Sequence, residues 1–251
     1  MSTETRSRAE PAPDILAASR RWLAPVREAL DGEFLAAYLT GSVLTEAFDP
    51  RRSRVNLLVV ARALDAGVLE RLARAIPAAG RPPRFEPLFL TRRQIEKSLD
   101  AFPIEWIEIQ ERNLLLEGED VVAGLEVPRT HFRLQLEHEL RSHQIRLRQT
   151  LLAAARRPIV LERVLRGAAS SFATLFRALL RLRGEDPPAE SARVFERVAD
   201  LFQLDAAALL VPHVLRYSGK SVKRSEVSAR YRGFLFEIDR LITAIDELRV
   251  P

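Results

Sequence analysis

A chain of 251 residues with 47% hydrophobic content has enough material for one large domain or two ordinary ones, each able to bury a core. It has no cysteine and only four scattered histidines, which excludes a disulfide framework, cysteine-ligated zinc and a histidine metal cluster. The formal charge of +5 is carried almost wholly by arginine and is unevenly placed: residues 1–127 hold 17 Lys/Arg against 20 Asp/Glu, a net of −3, whereas 128–251 hold 22 against 14, a net of +8.

That change of sign marks a domain boundary near Pro128. The polar stretch 1–12 reads as a disordered lead. Nothing in the sequence approaches the ~18 apolar residues of a membrane span, so the expectation is a cytoplasmic protein with no membrane partner. Ile15 to Leu30 has an apolar stripe at helical spacing (Ile15, Leu16, Leu23, Val26, Leu30) and closes at Asp31-Gly32. Phe34 to Leu39 is a short apolar run ending at Thr40-Gly41-Ser42, and Val55 to Val60 is the most strand-like segment of the chain. Leu64 to Ile76 is helical. Phe85 to Leu90 is a third strand candidate whose proline suits an edge or a bulge. Thr91 caps a brief helix through Leu99. Ile104 to Ile109 reads as a fourth strand, and Leu114-Leu115-Leu116 before Gly118 as a short strand and turn.

From Thr130 onward the pattern is purely helical. Phe132, Leu136, Leu140, Leu147 and Leu151 share one face, and Leu161 through Leu180 fit the 3.6-residue period closely. Gly184 to Pro188 interrupts them. Helices over about 191–202 and 205–217 lead to a last one with Phe234, Ile238, Leu241, Ile242, Ile245 and Leu248 buried. Five antiparallel helices imply a bundle over 128–249.

The order helix, strand, Gly41-Ser42, short helix, strand beginning Arg54-Val55-Asn56 resembles the nucleotidyltransferase superfamily of the kanamycin nucleotidyltransferase and DNA polymerase beta type. That superfamily carries Gly-Ser or Gly-Gly followed, roughly ten residues on, by Asp-x-Asp on a strand. The resemblance implies an α/β or α+β nucleotidyltransferase domain with a small mixed sheet over 13–127, followed by the all-α bundle, in a branch of bacterial proteins with a degenerate motif. It also implies Mg²⁺ if the site is active, and makes Glu86, on the third strand, the candidate third carboxylate. The resemblance places the ligand in a cleft between domains.

Gly41 lets the backbone approach a phosphate closely, and free N–H groups at the following helix start favour an anion. Residues two apart on a strand share a side, so Asp-x-Asp would aim two carboxylates at magnesium. Here those positions hold Arg54 and Asn56. Neutral Asn56 is a weak magnesium ligand. A guanidinium ~4 Å from a cation costs on the order of 4 kcal/mol per unit charge at an effective dielectric near 20, yet the same group grips phosphate well.

The reading is therefore a nucleotide- or phosphate-binding pseudoenzyme in which Gly41, Ser42 and Arg54 contact a nucleoside triphosphate or another phosphorylated small molecule, with no metal expected. Two alternatives stand beside it. One is a working transferase that moves a nucleoside monophosphate to a small-molecule or protein hydroxyl through Glu86 with Asp49 or Glu46, although Asp49-Pro50 reads first as a turn. The other is a bundle that pairs with itself, as a homo-oligomer, or with another protein. Nucleic acid is not favoured, because Arg141, Arg146, Arg148, Arg156 and Arg157 interleave with acids and leucines as on a solvated helix face. His138 and His143, five apart, do not share a ligand face.

Overall fold

The computed structural model of the chain describes residues 10–45, 48, 53–77, 83–128, 131–218 and 222–247. Two compact units divide at Pro128 and Arg129. Most of the polar lead, residues 1–9, lies outside the described residues, and Pro11 is buried just ahead of the first helix.

In the first unit, α1 runs over Pro13–Leu30 with proline in its first turn, where a missing N–H costs nothing. A 3₁₀ turn leads into β1, Phe34–Thr40, and a second one, Gly41–Leu44, follows it. Then come β2, Arg54–Ala61, and α2, Ala66–Ala75, whose N-cap Asp65 accepts the Val68 N–H at 2.9 Å. Next are β3, Arg84–Thr91, and α3, Arg92–Ser98, opened by a reciprocal capping box between Thr91 and Gln94. After α4, Pro103–Glu111, the unit ends in β4, Asn113–Gly118.

The four strands lie in the order β3-β2-β1-β4. The β2–β3 pair is parallel and the other two are antiparallel, giving a small mixed sheet. One face buries Leu39, Val55, Leu57 and Val59 beneath Trp22, Leu23, Val26 and Leu30 of α1 and Val68 and Leu72 of α2. The other buries Tyr38, Leu58 and Val60 beneath Ile95 of α3 and Trp106 of α4. At the β1–β4 crossing, Gly118 has φ +95°, and a Cβ there would lie 2.1 Å from the Leu35 carbonyl oxygen, so only glycine fits.

The segment Ile104 to Ile109, read as a strand, is α4. Pro103 stands in its first turn with Glu105, and Ile104 and Ile107, one turn apart, are buried together. Proline at a helix start and that i, i+3 spacing outweigh the β-branched content.

The second unit is all helical: α5, Phe132–Ala154; α6, Pro158–Leu182; α7, Ser191–Phe202; α8, Ala206–Leu209; α9, Val211–Tyr217; and α10, Arg224–Asp246. The span 205–217, read as one helix, is two, because Pro212 stands in the first turn of α9 and cannot donate to the preceding turn. Phe172 of α6 joins Phe176 and Phe234 of α10 at ring centroids of 5.6 and 5.0 Å, and Phe176 meets Phe195 of α7 at 4.9 Å. That aromatic chain ties three helices into one core.

Each unit seats one tyrosine completely out of water. The Tyr38 hydroxyl accepts the Val121 N–H at 2.6 Å and lies 3.1 Å from Asp120 Oδ1; the Tyr231 hydroxyl donates to the Leu147 carbonyl at 2.9 Å. Burial is the main cause lifting both phenols from 10.0 to about 12. Since the folded pKa lies above the unfolded one, this stability is complete below pH 10 and is lost as pH rises from 10 through about 12. The full loss is on the order of 2–3 kcal/mol per tyrosine. Denaturant titrations at steps between pH 9 and 12 should show that decline, and Tyr231→Phe should remove the part belonging to the second unit.

Candidate functional site

The sheet register assembles one polar row. Thr40 of β1 pairs with Asn56 of β2 on one side and Asn113 of β4 on the other, and Asn56 pairs with Glu86 of β3. Paired residues project to the same face and the period along a strand is two. The row therefore stands on the face that carries Tyr38, Leu58 and Val60, one step beyond its apolar cover. Arg54 and Arg84, paired with each other, form the next step outward.

The alternation in β2 is complete here. Arg54 and Asn56 are exposed, whereas Val55 and Leu57 are buried. Arg54 Nη1 lies 3.4 Å from Glu86 Oε1, with both side chains more than half exposed. Arg54, Asn56 and Glu86, singled out from the sequence, are thus brought together.

Gly41 follows directly on the row. Its φ is +75°, and a Cβ added there would lie 3.4 Å from Asn56 Nδ2, so the glycine and the Asn56 amide are in contact range. The Gly41 N–H donates to the Arg112 carbonyl at 3.2 Å, and Asn113 Nδ2 donates to the carbonyls of Ile109 and Gln110 at 2.9 and 3.1 Å. The end of α4 therefore anchors both the Gly41 turn and the start of β4. Thr45 closes that turn: its hydroxyl and its N–H both donate to the Ser42 carbonyl, at 2.8 and 3.1 Å. Glu46 and Asp49, the substitute carboxylate candidates, lie outside the described residues.

Magnesium chemistry of the Asp-x-Asp kind needs convergent anionic oxygens. Arg54, Asn56 and Glu86 supply a guanidinium, a neutral amide and a single carboxylate, already paired with the guanidinium. This donor set does not fit a pair of divalent cations. Among the described residues, no three His, Asp or Glu side chains converge as metal ligands.

Sequence reasoning missed Thr40, Asn113 and Arg84. Each owes its place in the rows to pairing between strands distant in sequence, and no local signal gives that register.

The other candidates stand apart from this row. Arg141 pairs with Asp246 at 2.5 Å and Arg148 with Asp239 at 3.0 Å, so two of the five bundle arginines are held by acids of α10. His138 lies 3.6 Å from Glu139. His143 packs on Phe172 at 5.1 Å, and burial, with Arg146 nearby, lowers its pKa. An open groove of about 300 Å³ in the bundle is lined by Arg183, Leu201, Phe202, Gln203, Ala244 and Glu247. No described helix is long and apolar enough to cross a membrane.

No family model matches the chain, and no curated protein matches it. Among solved structures, a spectinomycin adenyltransferase from Enterococcus faecialis, crystallised with ATP and spectinomycin, matches over 91% of this chain and 98% of its own, with a TM-score of 0.55 and 13% identity. The fold is that of a nucleotidyltransferase. In this chain the strand after the Gly41-Ser42 turn opens with Arg54 and Asn56 on its exposed side.

Since the Arg54–Glu86 pair is exposed, it adds little to stability, within ~0.5 kcal/mol. Gly41, held at positive φ against Asn56, is different: Gly41→Ala should cost about 1–2 kcal/mol. Thermal unfolding of Arg54→Ala and Gly41→Ala beside the parent checks both values.

Proposed function

We propose that this protein binds a nucleotide or another phosphorylated small molecule through the end of its sheet and has lost the metal-dependent transfer chemistry of its fold. The observation that carries this reading is the Arg54–Glu86 pair beside Asn56 and Gly41. A guanidinium in this position favours a phosphate and disfavours a metal ion, which supports the reading. Gly41 and Ser42 supply the turn that a phosphate can approach closely, and Arg54 supplies the charge, through a planar fork matched to phosphate oxygens.

The reading that competes with this one is a working nucleotidyltransferase. Its support is the fold shared with an adenyltransferase crystallised with ATP and spectinomycin. It needs Glu86 and other carboxylates to hold magnesium despite the neighbouring guanidinium, against a repulsion of about 4 kcal/mol at ~4 Å and an effective dielectric near 20.

Thermal shift and product analysis separate the two. ATP or another polyphosphate without added metal should raise the melting temperature of the parent; at 100 times the dissociation constant the gain is about 2.7 kcal/mol. Arg54→Ala should abolish that shift, and no labelled nucleoside triphosphate should release pyrophosphate with magnesium or manganese. Stoichiometric pyrophosphate release would establish the transferase. The absence of a shift with every nucleotide would move the function to a protein-interaction role of the bundle.

A further inference from the structure

The outer step of the sheet end carries more positive charge than the Gly41, Ser42 and Arg54 site needs. Arg84 stands directly opposite Arg54 in the parallel register, and both are exposed on the same face. Like charges directly opposite one another on neighbouring strands destabilise a sheet. The carboxylate on the same face, Glu86, is engaged by Arg54 at 3.4 Å. Among the described residues, no carboxylate pairs with Arg84. Two guanidiniums and one carboxylate thus form a cluster of net positive charge next to a glycine turn.

We infer, resting on the phosphate-binding reading, that Arg54 and Arg84 together take a metal-free polyphosphate, and that Glu86 is the built-in competitor for that ligand. When the ligand is absent, Glu86 holds Arg54. On binding, phosphate oxygens replace the carboxylate on Arg54 while Arg84 takes a second phosphate group, and Glu86 is left facing an anion. No covalent step is involved. The preferred ligand is an uncomplexed polyphosphate bearing at least two adjacent phosphates, because magnesium complexation halves the charge of a nucleoside triphosphate and brings a cation against two guanidiniums.

The sign of the Glu86 effect distinguishes this role from a metal ligand. A metal ligand cannot be removed without loss of nucleotide binding, whereas a competitor can be removed to advantage. The exposed Arg54–Glu86 pair sets the size of the gain, roughly two- to fivefold in affinity. Removing Arg84 removes a charge-assisted contact, which corresponds to about tenfold.

The experiment is isothermal titration of the full chain with ATP, and separately with inorganic triphosphate, with EDTA and then with excess magnesium, for the parent, Glu86→Gln, Arg84→Ala and Arg54→Ala. Far-ultraviolet circular dichroism of each variant confirms folding. The inference requires tighter binding by Glu86→Gln, about tenfold weaker binding by Arg84→Ala, and weaker binding of the magnesium complex than of the free nucleotide. If the parent binds ATP and Arg54→Ala abolishes it but Arg84→Ala leaves it unchanged, Arg84 is only an edge-strand charge and the inference fails while the phosphate-binding reading stands. If Glu86→Gln weakens binding, or magnesium strengthens it, Glu86 is a metal ligand and the inference fails. If the parent binds neither ligand, both fall.

Discussion

The position of every group at the sheet end follows from strand register, and register is held by the buried apolar residues between the exposed ones. Val55, Leu57 and Val59 of β2 lie beneath α1 and α2, while Leu58 and Val60 lie beneath α3 and α4. A slip of one residue would exchange the two faces, bury Arg54 and Asn56 under α1, and leave their charge and amide dry. Hydrophobic burial on both faces therefore fixes the polar row Asn113-Thr40-Asn56-Glu86 as firmly as it fixes the core.

That rigidity means that the side chains at the exposed strand positions can differ without changing the fold. In a loop, Arg54 could turn away from Asn56; on a strand clamped from both sides it must stand on the face of Glu86, 3.4 Å away. The exposed positions at the start of this strand hold Arg54 and Asn56, and the Arg54 guanidinium lies against Glu86 of β3 while the Asn56 amide lies beside Gly41. Because the pair is exposed and weak, the guanidinium remains available to a stronger anion.

Much of this was legible in the sequence. The alternation of Arg54-Val55-Asn56-Leu57 predicted a strand with both polar side chains on one side, and the proline at 87 suited an edge or a bulge; β3 lies at the edge. The spacing from Gly41-Ser42 to that strand predicted the fold. What escaped is non-local. Arg84 faces Arg54 only through a parallel pairing between separate strands, and the polar row needs Thr40 and Asn113 from two more. The segment Ile104 to Ile109 misled because isoleucine and tryptophan favour strands; Pro103, at the helix start, was the stronger signal. The end of that helix holds Gly41 through the Arg112 carbonyl, so the misread element is one that shapes the site.

The proposed function holds that Arg54 and Asn56 separate phosphate binding from metal chemistry on this strand. Manganese binding measured by electron paramagnetic resonance, with nucleotide present, tests it most directly in the double variant Arg54→Asp with Asn56→Asp. The variant, with one repulsive charge removed and two acids added beside Glu86, should bind manganese with nucleotide while the parent does not. A parent that already binds manganese and nucleotide as tightly as the double variant would contradict it.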